Sequence, residues 1–278
     1  MPTRRTAQPV TETALRPFRT IISEMAGPVA LHGGGEFLPG DEPFLRALLD
    51  AAAVQADERG GPDEPIRVAV MPTAAAGQSP DVAARFGTHA FERLAETAGR
   101  PVKVETARVV DAASADAAGS AATLEAADLI YLPGGDPHLI PTLLPATAAW
   151  HAMDAAYRRG AVLAGASAGA MGLCQLTWTP RGVIPGLGIV HGLVVVPHAD
   201  AAMWERQSGR FAMASAVGVG VLGIGERTGV ISTGAANGAT NGRTVPWLVV
   251  GEGEVRWLPN GATEPRIAVD GETLELPL

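Results

Sequence analysis

The segment Gly165–Gly169, which reads Gly-Ala-Ser-Ala-Gly, constrains the fold of this chain more than any other stretch. It follows the apolar residues 161–164 and precedes the helix-compatible residues 171–176. A strand, a sharp turn and a helix form the context in which a G-x-S-x-G pattern presents a reactive serine, and only small neighbours fit such a turn. We therefore predict Ser167 as a nucleophile, with the Ala168 amide directed at an oxyanion. The alternative is an incidental serine in a Gly/Ala-rich turn.

Segments typical of strands and helices alternate before this turn, which predicts parallel strands joined by helical crossovers. The predicted strands are 28–31, 67–71, 102–109, 129–132 and 161–164, and the predicted helices are 42–57, 80–98, 121–127 and 145–159. Turns follow these strands at 33–36, 73–75 and 134–136. Such turns lie at the carboxyl ends of the strands, so they should converge with Ser167 at one edge of the sheet.

The pattern changes after the turn. Strands are predicted at 193–197, 218–225, 229–233, 246–250 and 254–258, with a helix at 201–216 and turns such as Asn241-Gly242. This indicates a β-rich C-terminal edge with antiparallel strands. The fold class is therefore a three-layer α/β sandwich with a mostly parallel sheet. We assign residues 27–278 to a single α/β domain and residues 1–26 to an N-terminal extension.

Composition excludes several classes of function. The net charge of -8 argues against a general partner among nucleic acids or anionic membranes. The single lysine, Lys103, leaves no Walker-type phosphate loop, and the single cysteine, Cys174, allows no internal disulfide. No Cys/His cluster has zinc spacing, so neither a metal nor a cofactor is predicted. Without a membrane-length or secretory-type apolar segment, a cytoplasmic location is expected.

A serine nucleophile needs a base, and His198 is the preferred candidate. It ends the predicted strand 193–197, so it should reach the same edge as Ser167. The competing interpretation is a helix-capping or surface histidine. An α/β-hydrolase places its acid between the serine and the histidine, but no Asp or Glu lies between Ser167 and His198. A standard α/β-hydrolase is therefore disfavoured.

Five short segments occur in an order that resembles the cyanophycinase and peptidase E family of serine peptidases. They are Gly33–Glu36, Leu132–Asp136, Ser167–Ala170, Pro197-His198 and Gly223–Glu226. The resemblance covers residues 27–258 and implies a flavodoxin-like, class I glutamine amidotransferase-like fold. It also implies that Ser167 is the nucleophile, that His198 is the base, and that Gly135 supplies a second oxyanion amide. The family cleaves peptide bonds next to aspartyl residues, in α or β linkage.

The chain departs from the family pattern at the third catalytic position. An acid is usual some fifteen to eighteen residues after the serine, but residues 181–185 read Arg-Gly-Val-Ile-Pro. Glu226 is the preferred substitute because it follows the predicted strand 218–225. Asp200, another carboxylate such as Glu36, or a Ser–His dyad without an acid stay open.

The expected substrate is a small peptide or amide with an acidic group. Arg206 and Arg210 lie four residues apart on a predicted helix, and guanidinium groups bind carboxylates bidentately. The other residues predicted to bind substrate are Gly134, Asp136, His138 and Arg181.

The sequence thus predicts a serine hydrolase that cleaves an aspartyl-type peptide through an acyl-enzyme; a homodimer is left open. One alternative is a catalytically degenerate protein that binds an acidic ligand. Another is a tailoring hydrolase or acyl transferase that acts on a metabolite.

Overall fold

A computed structural model describes residues 26–180, 182–233 and 244–278. The strands are β1 Val29–His32, β2 Ile66–Val70, β3 Val102–Thr106, β4 Leu129–Leu132, β5 Val162–Ala166, β6 Leu176–Thr179, β7 Gly182–Pro185, β8 Leu193–Val196, β9 Gly220–Ile224, β10 Thr228–Ser232, β11 Thr244–Gly251, β12 Val255–Leu258, β13 Arg266–Ala268 and β14 Thr273–Pro277. The helices are α1 Glu42–Gly60, α2 Pro80–Ala98, α3 Ala112–Ala115, α4 Ala118–Glu125, α5 Leu139–Leu143, α6 Ala148–Arg158, α7 Ala168–Leu173 and α8 Ala201–Ala216.

An eight-stranded sheet in the order β14-β11-β10-β1-β5-β4-β2-β3 forms the centre of the structure. Strands β1, β5, β4, β2 and β3 pair in parallel, and β10, β11 and β14 extend the sheet antiparallel. Every residue of β1, β4 and β5 is buried, as expected for parallel strands covered on both faces. The predicted α/β fold with a mostly parallel sheet is confirmed.

Successive residues of the central strands point to two different cores. Ala30 and Ala164 join the core under α1 and α2, whereas Leu31 and Leu163 join the core shared with α4, α6 and α7. This period of two produces helices on both faces of the sheet and hence the three layers.

The C-terminal half differs in detail from the expected edge. Only β10, β11 and β14 extend the large sheet, whereas β13-β12-β9-β8 form a separate four-stranded sheet in which β8 and β9 are parallel. A hairpin of β6 and β7, which the sequence did not reveal, precedes β8. The apolar pattern of a strand indicates that it is buried but not which strand it pairs with. The division of these strands into two sheets could therefore not be predicted.

The boundaries of some elements also differ from those predicted from the sequence. The helix after Ser167 spans Ala168–Leu173 rather than 171–176, and Leu176 begins β6. The Asn241-Gly242 turn and nearly all of the proposed extension, residues 1–25, lie outside the described residues. Within the described ranges, no helix has both the length and the apolar character needed to cross a bilayer.

Candidate active site

Ser167 occupies a strained turn between β5 and α7. Its backbone has φ 48° and ψ -109°, in a region that residues other than glycine rarely adopt. A Cβ atom at Gly165 would collide with the backbone of Gly169, and one at Gly169 would collide with the carbonyl of Leu132. The two glycines are therefore required by close packing, and they allow the serine to project from the carboxyl end of β5.

His198 lies next to this serine. Its Nε2 is 3.1 Å from Ser167 Oγ, a hydrogen-bond distance. The histidine follows β8 in the small sheet and also has a positive φ of 52°. The backbone N–H of His198 donates to the carbonyl of Gly33 at 2.8 Å. This hydrogen bond joins the end of β8 to the loop after β1, which belongs to the large sheet.

Glu226 contacts the other nitrogen of the same imidazole. Its Oε1 lies 3.0 Å from His198 Nδ1, and the two side chains are 53% and 41% exposed. The parallel pairing of β8 with β9 places Val196 beside Gly223. Both strands therefore end at the same edge of the four-stranded sheet. In the tautomer that carries its proton on Nδ1, that proton would point at the carboxylate and Nε2 could accept the Ser167 proton.

The other two candidate acids have different partners. Asp200 caps α8, and its carboxylate accepts from the N–H of Met203 at 2.6 Å. Glu36 Oε1 accepts from the N–H of Gly134 at 2.8 Å. Among the three carboxylates considered, Glu226 is the one that the structure brings to His198.

The two amides predicted to bind an oxyanion are those of Gly135 and Ala168. The N–H groups of Gly135 and Ala168 have no protein acceptor among the described residues. Gly135 has φ +150°, and a side chain there would collide with the Ala74 carbonyl, which also accepts from the Asp136 N–H at 2.7 Å. The turn at Thr73–Ala75 thus holds the loop after β4, as the expected convergence of turns requires.

The residues predicted to bind substrate are only partly gathered here. Asp136 is exposed, and its carboxylate accepts from the N–H of His138 at 2.9 Å. Arg210 lies over the ring of Trp178 at 5.6 Å, and Arg206 is exposed on α8. In the described part of the chain neither guanidinium pairs with Ser167, His198 or Glu226. Arg181 lies outside the described residues.

Arg256, which was not among the residues predicted from the sequence, lines a cavity together with His198. A cavity of about 530 Å³ is lined by His198, Glu226 and Arg256, among others. Arg256 is 14% exposed and pairs with Glu254 at 2.5 Å. Arg256 lies on β12, which pairs with β9. Its position near His198 therefore depends on a strand pairing that no local sequence motif indicates.

Cys174 is no competing nucleophile. It is fully buried, its thiol donates to the Ala170 carbonyl at 3.3 Å, and burial raises the pKa of the thiol far above its usual range. A thiolate is therefore not available at neutral pH.

The backbone of Gly34 leaves no room for a side chain. Gly34 has φ +116°, and a Cβ there would overlap the imidazole of His198. Gly34→Ala is expected to lower kcat by about 10²-fold, because even about 1 Å of misplacement costs that much. The control is Gly261→Ala, which has φ +79° but no atom within 4 Å of the added carbon. Steady-state kinetics with thermal unfolding tests this; equal kcat losses in both variants would contradict it.

Comparison with known proteins identifies the family of this chain. A crystal structure of a peptidase from an acI-B1 actinobacterium is similar with a TM-score of 0.67 and 25% identity, over 91% of this chain and 98% of that one. A putative peptidase E protein from Listeria monocytogenes EGD-e gives a TM-score of 0.48 and 14% identity, over 84% and 98% of the two chains. No curated protein sequence matches. The model of peptidase family S51 matches residues 62–235, more than half of the chain. The chain therefore belongs to peptidase family S51, the peptidase E and cyanophycinase family, and is a serine-type peptidase.

Proposed function

We propose that this peptidase hydrolyses small peptides or related amides at an aspartyl residue, in α or β linkage, through an acyl-enzyme on Ser167. One observation carries the catalytic part of the proposal. Ser167 Oγ lies 3.1 Å from His198 Nε2, and His198 Nδ1 lies 3.0 Å from Glu226 Oε1. This is the order of nucleophile, base and orienting acid that acyl transfer needs.

The proposed reaction proceeds in two halves. Ser167 Oγ attacks the carbonyl carbon as His198 Nε2 takes the hydroxyl proton, and the free amides of Gly135 and Ala168 bind the resulting oxyanion. The intermediate collapses, the C–N bond breaks, and His198 returns the proton to the leaving amine. In the second half His198 takes a proton from water, the hydroxide attacks the acyl carbon, and the Ser167 oxygen leaves with that proton.

Glu226 supports an active enzyme rather than a degenerate binding protein. Residues 181–185 contain no acid, and a Ser–His pair without an acid is what a degenerate binding protein would retain. The 3.0 Å contact between Glu226 and His198 supplies the orienting group from a later strand. It can fix the tautomer of the imidazole and stabilise the imidazolium that forms when the Ser167 proton arrives.

The acidic preference rests on the family and on nearby cationic side chains. Arg256 lines the cavity beside His198, and Arg206 and Arg210 are exposed on α8, which begins three residues after that histidine. A guanidinium bound to a substrate carboxylate makes charge-assisted hydrogen bonds, which contribute more than neutral ones.

Matched dipeptides test this proposal. We expect Asp-Leu or β-Asp-Leu to be cleaved with a kcat/KM about 10- to 100-fold above that of Asn-Leu, because the amide loses the charge-assisted contact. Arg256→Gln, Arg206→Gln and Arg210→Gln, each assayed on both substrates, should show which guanidinium the selectivity requires. Product analysis by mass spectrometry, with Ser167→Ala as the blank, measures it.

Three results would contradict the proposal in different ways. Equal cleavage of the Asp and Asn peptides would remove the acidic preference while leaving the serine mechanism intact. Failure of the folded wild-type protein to react with a fluorophosphonate would remove the nucleophile itself. Acylation by non-peptide esters or amides without cleavage of any dipeptide would favour the tailoring hydrolase.

A further inference from the structure

A buried pair of ionisable side chains lies beneath the site and has no role in the steps above. His32 and Asp41 are 0% and 1% exposed, and His32 Nε2 lies 3.0 Å from Asp41 Oδ1. These two atoms are in close contact but lack hydrogen-bond geometry. The imidazole also packs against Phe44, with ring centroids 4.6 Å apart. Burial of two ionisable groups is costly unless they are paired, so their retention in a core position needs an explanation.

The pair holds both ends of the segment Gly33–Glu36, which we call the glycine loop. Near the start of the loop, the Gly34 N–H donates to His32 Nδ1 at 3.3 Å. Just beyond its end, the Phe37 N–H donates to Asp41 Oδ2 at 2.7 Å. The side chains of His32 and Asp41 thus fix the loop from below through one hydrogen bond each.

The first half of this region is bonded directly to the nucleophile and the base. The Ser167 N–H donates to the carbonyl of His32 at 2.9 Å. The His198 N–H donates to the carbonyl of the next residue, Gly33, at 2.8 Å. Both donors belong to residues with positive φ, a conformation that the surrounding structure must hold in place.

The rest of the loop is bonded to the other two parts of the site. The Arg227 N–H, one residue after Glu226, donates to the carbonyl of Gly34 at 2.7 Å. Glu36 accepts from the N–H of Gly134 at 2.8 Å and so holds the loop after β4, which contains Gly135. Four site elements from two sheets therefore converge on residues 32–36, although they lie far apart in the sequence.

We propose that His32, held by Asp41, is a positioning residue that aligns Ser167, His198 and Glu226 through the glycine loop. The inference rests on the proposed role of Ser167 as nucleophile. Loss of the acceptor at His32 Nδ1 releases the Gly34 N–H, and Gly34 packs directly against the imidazole of His198. A catalytic site needs its groups held within about 0.5 Å, so a loosened loop lowers reactivity before it unfolds the protein.

Three variants at position 32 separate positioning from packing. His32→Asn keeps an acceptor where Nδ1 stands, His32→Gln keeps a polar group facing Asp41, and His32→Leu keeps neither. The rate of fluorophosphonate labelling of Ser167 is the main readout because it needs no knowledge of the substrate. We expect a fall of about 10²-fold in labelling and in kcat for His32→Leu, with KM within about threefold. His32→Asn should restore both rates to within about tenfold of wild type, and His32→Gln should not.

Ser232→Ala is the matched control. The Val29 N–H donates to Ser232 Oγ at 2.8 Å, so this change removes a buried hydrogen bond from the opposite end of β1. It should lower the thermal midpoint without changing the labelling rate. Unchanged labelling in folded His32→Leu, or an equal loss in Ser232→Ala, would overturn the inference. If His32→Leu does not fold, equal rates for His32→Asn and His32→Gln would do the same. An unlabelled wild-type protein would instead overturn the proposed function.

Discussion

Ser167→Ala is expected to lower kcat by about 10⁶-fold and to abolish labelling by a fluorophosphonate, because removal of the nucleophile leaves only binding and the oxyanion amides. The fold should survive, since Ser167 Oγ has no partner besides His198 among the described side chains. Progress curves under single-turnover conditions and intact-protein mass spectrometry measure the two effects. The control is Ser208→Ala, an exposed serine on α8, which should leave both unchanged. Peptide cleavage that persists at the wild-type rate in Ser167→Ala would contradict the acyl-enzyme mechanism.

Because the backbone at Ser167 is strained, substitutions there should also change the free energy of unfolding. Its φ of 48° and ψ of -109° are unfavourable for any residue with a Cβ. Ser167→Gly should therefore be inactive, yet its free energy of unfolding should exceed that of Ser167→Ala by roughly 1 kcal/mol. This is a net value, because glycine also has the greater conformational entropy in the unfolded chain. Chemical denaturation of the two variants measures this difference. A glycine variant less stable than the alanine variant would show that the turn is not strained.

Glu226→Gln is expected to lower kcat by about 10²- to 10³-fold. Loss of a buried orienting acid costs about 10⁴-fold in a Ser–His–Asp enzyme, but Glu226 and His198 are 53% and 41% exposed, so water replaces part of the interaction. KM should change little, because the carboxylate acts on the imidazole rather than on the substrate. Steady-state kinetics with a cleaved dipeptide separates the two constants.

Asp200→Asn is the matched control for Glu226→Gln. Asp200 is bonded to the Met203 N–H as the cap of α8, and asparagine caps a helix equally well. The kcat of Asp200→Asn should stay within about threefold of wild type, and Glu226→Gln should lose at least about tenfold more. The reverse ranking would move the acid to Asp200. Equal, small losses would indicate a Ser–His dyad.

The short-range features of this protein could be predicted from its sequence. The demand for small residues around Ser167, the buried apolar strands and the helices between them depend on neighbours a few positions apart. Parallel crossovers then place the turns after β1, β4 and β5 at one edge, which is why the convergence of Gly33–Glu36, Gly134–Asp136 and Ser167 could be expected.

Other features depended on which strands pair. The position of β8 and β9 in a separate sheet brings Glu226, rather than Asp200 or Glu36, to His198. The pairing of β12 with β9 carries Arg256 to the cavity beside that histidine. Acceptors in residues 32–36 bind backbone N–H groups of four distant elements. Because nearly every residue has such an N–H group, the sequence does not indicate which ones bind here.

The sequence by itself determined the turn that presents Ser167, the parallel α/β core and the family, because each is indicated by short local segments and by their order along the chain. Only the tertiary structure decided which carboxylate contacts His198 and that His32 and Asp41 are buried side by side. The physical reason is that these contacts join residues from separate strands, and an apolar strand specifies its burial without specifying its partner.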